Sequence, residues 1–502
     1  MCTLEKTRKT VFYIALALIC IIAGVCALDS LLVERCVGVR ILNEEILGNA
    51  VYEYEDYSNY ILLNKEKAAI DVEESRIYVS YNAETDSGSL KVSNPFCAVF
   101  FAEDEAFNDM PKAIEEGHAF KLLVMNGKRH YMSYDVIFTT LPVMRMYVEN
   151  YRARLDGRDE AMGTMTLWNA DDSEMGNYST FTTDLCWHIR GGSTAGQVKK
   201  SLKLSLCDAK GQNKNVSLLG LGSDDDWILN AMTMDDTKLK EKFTMDIWNQ
   251  IFTQNEQNKK MSTGEYVELV LDGKYNGLYL LQRRIDSKYL GIRGGDILLK
   301  GYSSRLRETL QKSYEIVSSS LTNEQTYEYL ENVKFGQDAK IYNLSNFIDV
   351  NILLQFGSMP DNASYKNMFY LLSDNAGIQT VTLIPWDTDM SFGVTWSNAI
   401  DYDYDLSLNM AVRRMEYESV NELYPDLNDK IAARWQQLRE SGFTYDWLME
   451  QLRAIQKELR ESGAFDREYS CWEKRYGEKD TWGAMEKYIE ERLAWMDAYY
   501  AA

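Results

Sequence analysis

Two carboxylates stand directly behind an apolar run in the C-terminal half of the chain. Asp387 and Asp389 follow VTLIPW at residues 381–386. Residues two apart in an extended segment face the same side, so both carboxylates can converge on one hard cation such as Mg²⁺. An acidic strand end that is exposed to water has the same pattern. The pair alone leaves both interpretations open.

A second polar stretch, MPDNASYKN at residues 359–367, follows an apolar helical segment. It places Asp361 at the start of a loop and Asn367 six residues later. A carboxylate that accepts a hydroxyl proton, together with an amide that binds Mg²⁺, is the pair that protein kinases use for phosphoryl transfer. Pro360, Asp361 and Asn362 are also typical of an ordinary β-turn.

A glycine-bearing loop joins two predicted strands earlier in the chain. DLCWHIR (184–190) leads into GGSTAG (191–196), and KKSLKLSL (199–206) follows. Glycine lets backbone N–H groups approach phosphate oxygens, so this loop is a candidate nucleotide-binding site. The candidate residues at its start are Arg190, Gly191, Gly192 and Ser193.

A lysine on the second of these strands could contact phosphates as a point charge. Strand alternation places Lys200 on the same face as Leu202 and Leu204, and Lys199 on the opposite face. We therefore expect Lys200 to point inward, and prefer it to Lys199 as the phosphate contact. An ordinary hairpin with a solvated basic face is the alternative.

The order of these features matters more than any one of them. A glycine-rich hairpin, a lysine strand, a helix, a hairpin, an apolar helix, an Asp-to-Asn loop and a second Asp follow one another along the chain. A protein-kinase-like site needs its parts in this order. The sequence therefore favours phosphoryl transfer over separate turns and strand ends.

Several stretches in this order resemble the CotH kinase family, the spore-coat protein H group of atypical kinases. They are IRGGSTAG with KKSLKL, LLGLGSDDDWILNA, VELVLDGKYNGLYLLQRRID, PDNASYKN and IPWDTDMSFG. The resemblance covers residues 140–400 and continues through predicted helices to 500. It implies an α+β, atypical protein-kinase-like bilobal fold.

The resemblance also implies an enzyme that transfers phosphate from ATP, with Mg²⁺ or Mn²⁺, to Ser/Thr of exported, spore-coat or surface proteins. By resemblance Asp361 is the catalytic-loop aspartate and Lys200 contacts the ATP phosphates. Asn367 and Asp387 would bind the metal, and Asp389 would add a further metal contact.

The chain departs from the family pattern at two places. Arg283 stands where the family tends to carry glutamate, and Lys240-Glu241 stands where it tends to carry Arg-Asn. Glu241 is a candidate replacement for the carboxylate partner of the lysine. These changes leave open a catalytically weak or inactive kinase-fold protein that serves surface binding or assembly.

Composition excludes several other classes of function. The 502 residues are 45% hydrophobic, which indicates a globular chain, and carry a net charge of −22, which repels nucleic acid. Only three histidines occur, so histidine-rich metal sites are not expected. Cys186 and Cys207 would lie nearly opposite each other if their strands pair around residues 196–197. A cross-strand disulfide and two separate thiols are both open.

The N-terminus carries a location signal. Lys6, Arg8 and Lys9 precede 18 uncharged residues at 11–28, enough for one membrane-spanning helix with its N-terminus inside. A cleaved signal peptide is the alternative. Either reading predicts an extracytoplasmic main domain, single-pass or secreted. We expect a tail and anchor at 1–30, a β-rich region at 31–145 and a CotH kinase-like domain with a helical C-terminal part at 146–502.

Overall fold

A computed structural model describes most of the chain. The described residues are 34–42, 50–83, 88–127, 130–148, 151, 159–170, 179–301, 309–364, 366–375, 378–395 and 415–501. No helix within these ranges combines the length and the apolar composition that a membrane crossing requires. The expected anchor at 11–28 lies outside the described residues.

The N-terminal region is built from strands, as its alternating sequence predicts. An eight-stranded sheet has the order β1-β2-β9-β10-β11-β7-β6, with β3 beside β11, and β5-β4-β8 form a small second sheet. Helix α1 (Met110–Glu115) buries Ile114 in the same core as the large sheet. The strands are β1 Glu34–Cys36, β2 Val39–Leu42, β3 Val51–Tyr52, β4 Ile61–Leu63, β5 Glu66–Lys67, β6 Ala69–Asp71, β7 Arg76–Ser80, β8 Leu90–Val92, β9 Cys97–Ala102, β10 Ala119–Asn126 and β11 His130–Thr139.

A closed barrel follows, in the order β12-β13-β14-β15-β18-β20-β19. Parallel pairing of its first strand with β19 closes it. Alternate residues such as Leu185, Trp187 and Leu204 fill the interior, which is the pattern expected of barrel strands. The strands are β12 Val143–Val148, β13 Ala161–Asn169, β14 Ser179–Arg190, β15 Ser201–Cys207, β18 Asp226–Asn230, β19 Gly264–Leu271 and β20 Lys274–Arg283, with the short pair β16 Val216–Ser217 and β17 Ser223–Asp224 outside the barrel.

A four-stranded sheet and most of the helices form the rest of the described chain. The sheet has the order β22-β21-β23-β24. Its strands are β21 Ile297–Gly301, β22 Tyr314–Ser318, β23 Met368–Asn375 and β24 Ile378–Pro385. The helices are α2 Lys240–Ile251, α3 Ser287–Leu290, α4 Asn323–Asn332, α5 Leu344–Gly357, α6 Met415–Leu423, α7 Leu427–Glu440, α8 Tyr445–Glu461, α9 Ala464–Cys471 and α10 Trp482–Ala501.

Buried polar contacts join the first sheet, the barrel and the C-terminal helices. Tyr78 stacks on Tyr275 with ring centroids 4.2 Å apart, and the Tyr275 amide donates to Asp71 at 2.9 Å. On the barrel, buried Glu268 accepts two hydrogen bonds from Arg467 of α9, at 2.9 and 2.6 Å. The N-terminal region is thus packed against the barrel and tied through it to α9.

The structure confirms the mixed α+β class. Strands β19 and β20 form a hairpin that turns at Asp272-Gly273, where both residues have positive φ. The pairing of β14 with β15 differs slightly from expectation. Cys207 lies opposite Asp184, and Cys186 lies opposite Ser205. Both cysteines are free thiols, so the structure has two separate thiols and not a cross-strand disulfide at this position.

Candidate active site

A cavity of about 680 Å³ opens where three chain segments meet: the end of β14, the loop after α5 and the end of β24. Of the predicted site residues, it brings together Arg190, Gly191, Gly192, Asp361, Asn367, Asp387 and Asp389. A larger cavity of about 830 Å³, between the barrel and α8, contains none of them. The chemistry predicted from sequence therefore gathers in the first cavity, which we call the catalytic cavity.

Asp361 sits on the loop after α5 and is held from two sides. Asn367 Nδ2 donates to one of its carboxylate oxygens at 2.7 Å. Lys366 Nζ lies 3.2 and 3.3 Å from the two oxygens. Asp361 is only 5% exposed, so these donors fix its carboxylate at the cavity wall. The predicted pairing of an aspartate with an asparagine is present as a direct contact.

Asp387 is placed by the end of β24. The Asn362 side chain donates to the backbone oxygens of Asn367 and Trp386, both at 2.8 Å, and so ties the loop to the strand end. Asn367 and Asp387 have φ of 55° and 58°, a left-handed conformation that residues other than glycine adopt rarely. Such backbone conformations cluster at functional sites, where the surrounding contacts hold them in place.

Glu241 lies behind the cavity, at the start of α2. Its carboxylate accepts hydrogen bonds from the Thr388 amide and, at 3.0 Å, from the Thr388 hydroxyl. Burial raises the pKa of Glu241 to about 7, the charge of Asp387 adds to the rise, and the Thr388 hydrogen bonds oppose it. Glu241 therefore positions the backbone between Asp387 and Asp389 and does not pair with a lysine.

Asp389 completes a crowded group of carboxylates. Burial raises its pKa well above the usual range, and Asp387 and Glu241 add to the rise. Among the described residues, an ion pair forms with Asp361, but none is found for Glu241, Asp387 or Asp389. Carboxylates crowded in this way favour either a proton or a bound cation.

Two cations, Arg190 and Lys300, line the same cavity as these carboxylates and lie against Trp386. The Arg190 guanidinium carbon lies 5.6 Å from a Trp386 ring centroid, and Lys300 Nζ lies 5.8 Å from one. Burial lowers the pKa of Arg190, while Asp387 and Glu241 oppose that shift. Burial also lowers the pKa of Lys300, nearby Arg190 adds to the effect, and Asp387 opposes it. Both residues therefore lie near Asp387, whose charge acts on each of them.

The glycine loop contributes its backbone to the cavity. Gly191 has a φ of 111°, and a Cβ atom there would lie 2.3 Å from Thr194 Oγ1, so only glycine fits. A Cβ at Gly192 would meet no atom within 4 Å. Ser193 begins a short 3-10 turn, Ser193–Gly196, and the structure does not describe its side chain.

The structure does not bring Lys199 or Lys200 into the cavity. Lys199 Nζ is buried at 2.8 Å from both Glu468 carboxylate oxygens, and Lys200 Nζ donates to the Ala195 oxygen at 2.7 Å. Strand β15 begins only at Ser201, so the strand alternation on which the preference for Lys200 rested does not extend to either lysine. Lys200 instead braces the glycine loop.

Sequence reasoning missed several cavity residues. They are His188, Lys300, Glu315, Lys366 and Arg475. Lys366 stood within the quoted Asp-to-Asn loop and could have been found there. Lys300, Glu315 and Arg475 come from separate elements, and no local motif marks them. A neighbouring pocket of about 140 Å³ shares His188, Arg190, Lys300 and Glu315 with the cavity and adds an apolar lining, Ile228, Ile285, Val317, Phe369 and Trp386.

Comparison with known families agrees with this geometry. The family model described as CotH kinase protein matches residues 187–496, more than half of the chain. The chain belongs to the CotH kinase family. The match begins inside β14, so it includes every cavity residue named above and leaves out the N-terminal sheet. A comparison with curated proteins found no match. Membership of the CotH kinase family implies a kinase-like phosphotransferase role, and kinases in general use a nucleotide and a divalent metal.

The donors in this CotH kinase family member fit a divalent cation of the Mg²⁺ type. No group of three His, Cys, Asp or Glu side chains in the described ranges is close enough to hold a metal alone. Mg²⁺ commonly takes one or two carboxylates and completes its shell with phosphate oxygens and water. Asp387, Asn367 and Asp389 supply oxygen donors of that kind, and their crowded negative charge favours a cation.

Proposed function

We propose that this CotH kinase family member transfers the terminal phosphate of ATP to Ser/Thr hydroxyls of an exported or surface protein. The observation that carries the proposal is the convergence in one cavity of Asp361, Asn367 and Asp387 with the cations Arg190 and Lys300. A proton acceptor, metal-type donors and phosphate-type cations are the parts that phosphoryl transfer requires. On this proposal the barrel and the helical part act as the two lobes of a kinase-like fold.

The small pocket beside the cavity suits a nucleotide base. Its apolar wall includes Ile285 and Val317, and Phe369 packs edge-on against Trp386. A nucleotide seated there would run its phosphates past Arg190 and Lys300, which take over the phosphate role expected of Lys200.

Asp361 would act on the acceptor. Its carboxylate is held by Asn367 and Lys366, so it can orient a Ser/Thr hydroxyl and accept the proton as the oxygen attacks phosphorus. Asp387 and Asn367 would hold Mg²⁺ or Mn²⁺, with Asp389 beside them, and the metal would neutralise charge on the phosphate oxygens. Glu241 would keep Asp387 and Asp389 in place through Thr388.

A second candidate is a surface binding or assembly protein that turns over slowly or not at all. The position of Lys199 and Lys200 outside the cavity favours it, because the expected phosphate lysine is replaced by residues from other elements. For either function we propose an extracytoplasmic location, which is supported by the basic residues before the apolar stretch at 11–28.

The test is transfer of labelled terminal phosphate from ATP with Mg²⁺ to a Ser/Thr peptide library by the full-length protein. We expect Asp361→Asn to lower the rate by about 10²–10⁴-fold while nucleotide still binds. Asp387→Asn should lose metal-dependent binding as well. Asp374→Asn, an exposed change on β23, is the matched control and should behave as wild type. Absence of both transfer and nucleotide binding in the wild type would contradict the proposal.

A further inference from the structure

Arg475 reaches the catalytic cavity from the far C-terminal part of the chain. It lies between α9 and α10, in a segment without regular structure, and it is among the residues that line the cavity. The cavity wall is otherwise built from the barrel, the four-stranded sheet and the loops beside them. The C-terminal helical part therefore adds a guanidinium to a site whose other members come from elsewhere.

A buried carboxylate fixes the backbone at this position. Asp236, which is 2% exposed, accepts hydrogen bonds from the backbone N–H groups of Arg475 at 2.8 Å and Gly477 at 3.0 Å, and from that of Tyr476. The Asp236 amide in turn donates to Asp480 at 3.0 Å, and Lys240 Nζ lies 2.7 Å from the same carboxylate. The segment is thus clamped to the residues that begin α2 and carry Glu241.

The lining residues show which end of the cavity Arg475 occupies. The residues shared with the small pocket, including Arg190 and Lys300, mark the junction between the two spaces. Arg475 lines the cavity but not the small pocket, and Met234 and Met390 share this property. Met390 follows Asp389 directly in sequence. Asp387 and Asp389 also line the cavity and not the small pocket, so Arg475 shares with them the part of the cavity outside the proposed base pocket.

We propose that Arg475 binds the terminal phosphoryl group of the nucleotide and stabilises it during transfer, which rests on the function proposed above. As the acceptor hydroxyl oxygen bonds to phosphorus, the bond from phosphorus to the bridging oxygen breaks, ADP leaves, and the hydroxyl proton passes to Asp361. Negative charge spreads over the three outer oxygens of the phosphoryl group in that step. A planar guanidinium can donate two parallel hydrogen bonds to such oxygens.

This role predicts a difference between two nucleotides. ADP lacks the terminal phosphate, so Arg475→Met should leave the affinity for ADP with Mg²⁺ within about twofold of wild type. It should weaken binding of the non-hydrolysable β,γ-imido analogue of ATP by about tenfold or more, and lower kcat by about 10²–10³-fold. The hydrogen bond to Asp236 comes from the Arg475 backbone and is kept in Arg475→Met, and the thermal midpoint measures whether the variant stays folded.

The neighbouring residue provides the matched control. Lys474 is exposed, with its Nζ 4.9 Å from the Tyr469 ring centroid, and Lys474→Met should change neither affinity. Equal losses for ADP and the analogue in Arg475→Met, or no loss for either, would overturn this inference while leaving the proposed function standing. A wild-type protein that binds neither nucleotide would overturn both.

Discussion

Lys199 is buried and Asp387 lies half-buried at the cavity wall, and the surroundings of these two residues differ in kind. Around Lys199, the Glu468 carboxylate meets Lys199 Nζ at 2.8 Å, Lys238 Nζ at 3.4 Å and the Leu278 amide at 2.8 Å. We call Lys199, Lys238 and Glu468 the anchor cluster. Each charge in it has a partner within the protein, and together they fasten α9 to the barrel.

Asp387 belongs to a group that is not balanced in this way. The charge of Asp387 raises the pKa of both Glu241 and Asp389, and no lysine or arginine of the described chain forms an ion pair with either. We call Glu241, Asp387 and Asp389 the carboxylate cluster. The comparison shows two uses of charge. A buried charge that is paired within the protein stabilises the fold, whereas crowded carboxylates without such partners favour the binding of a cation.

The largest expected effect comes from a substitution that breaks the anchor cluster. Lys199→Met leaves the Glu468 carboxylate buried with a more distant partner, and we expect the free energy of unfolding to fall by about 3–5 kcal/mol. Lys200→Met removes one hydrogen bond to Ala195 and should cost about 1 kcal/mol. Urea unfolding measures both. Similar losses of unfolding free energy in the two variants would mean that the anchor cluster stabilises the fold no more than a single hydrogen bond does.

The next effect concerns pH and the carboxylate cluster. The pKa of Glu241 rises from 4.5 to about 7 on folding, chiefly through burial. Its contribution to stability is therefore complete below pH 4.5 and is lost as the pH rises through about 7. Between these pH values we expect Glu241 to lower the wild-type free energy of unfolding on the order of 1–3 kcal/mol. Glu241→Gln should remove this contribution. The control Glu331→Gln, at an exposed position, should keep the wild-type dependence of the free energy of unfolding on pH. The same dependence in Glu241→Gln would mean that Glu241 is not the group that titrates in this window.

A smaller effect tests the crowding itself. Asp389→Asn replaces one of three crowded carboxyl groups with a neutral amide of the same size, so stability in metal-free buffer should rise by about 0.5–2 kcal/mol. Phosphotransfer by the same variant should fall. Thermal unfolding in EDTA, beside the transfer assay, gives both values. A clear loss of stability would show that the Asp389 carboxylate is a structural group like Glu468.

The smallest expected effect comes from an exposed ion pair, which gives a reference value of unfolding free energy for both clusters. Lys274 and Glu73 form a pair 3.4 Å apart between the barrel hairpin and the N-terminal sheet, and both side chains are more than half exposed. Lys274→Ala should change the free energy of unfolding by less than about 0.5 kcal/mol, because water screens exposed pairs. A larger change in urea unfolding would mean that charge pairs outside the clusters matter equally.

The sequence predicted the parts of the site that come from short contiguous motifs. Asp361 with Asn367, and Asp387 with Asp389, could be found because turn residues and carboxylates follow apolar runs directly. The β-rich N-terminal region and the helices after 415 were also predicted, since strand and helix periodicity is local. The CotH kinase family followed from the same motifs.

The remainder depends on tertiary packing that no local pattern reveals. Lys200 was preferred over Lys199 because the predicted strand included both lysines. The observed strand begins at Ser201, after both of them. Lys300 and Arg475 enter the cavity only because the four-stranded sheet and the α9–α10 connection fold back onto the barrel. Glu241 was singled out correctly as a carboxylate near the site, but its partner is Thr388 and not a lysine.

The central claim is that Asp387 and Asn367, with Asp389 beside them, hold a divalent cation together with a nucleotide. Calorimetric titration of the full-length protein with the β,γ-imido analogue of ATP, in Mg²⁺ and in EDTA, tests it most directly. We predict that wild type binds at least about tenfold more tightly with Mg²⁺, and that folded Asp387→Asn loses this difference. Equal affinity with and without Mg²⁺ in the wild type, or a metal dependence that survives in Asp387→Asn, would contradict the account.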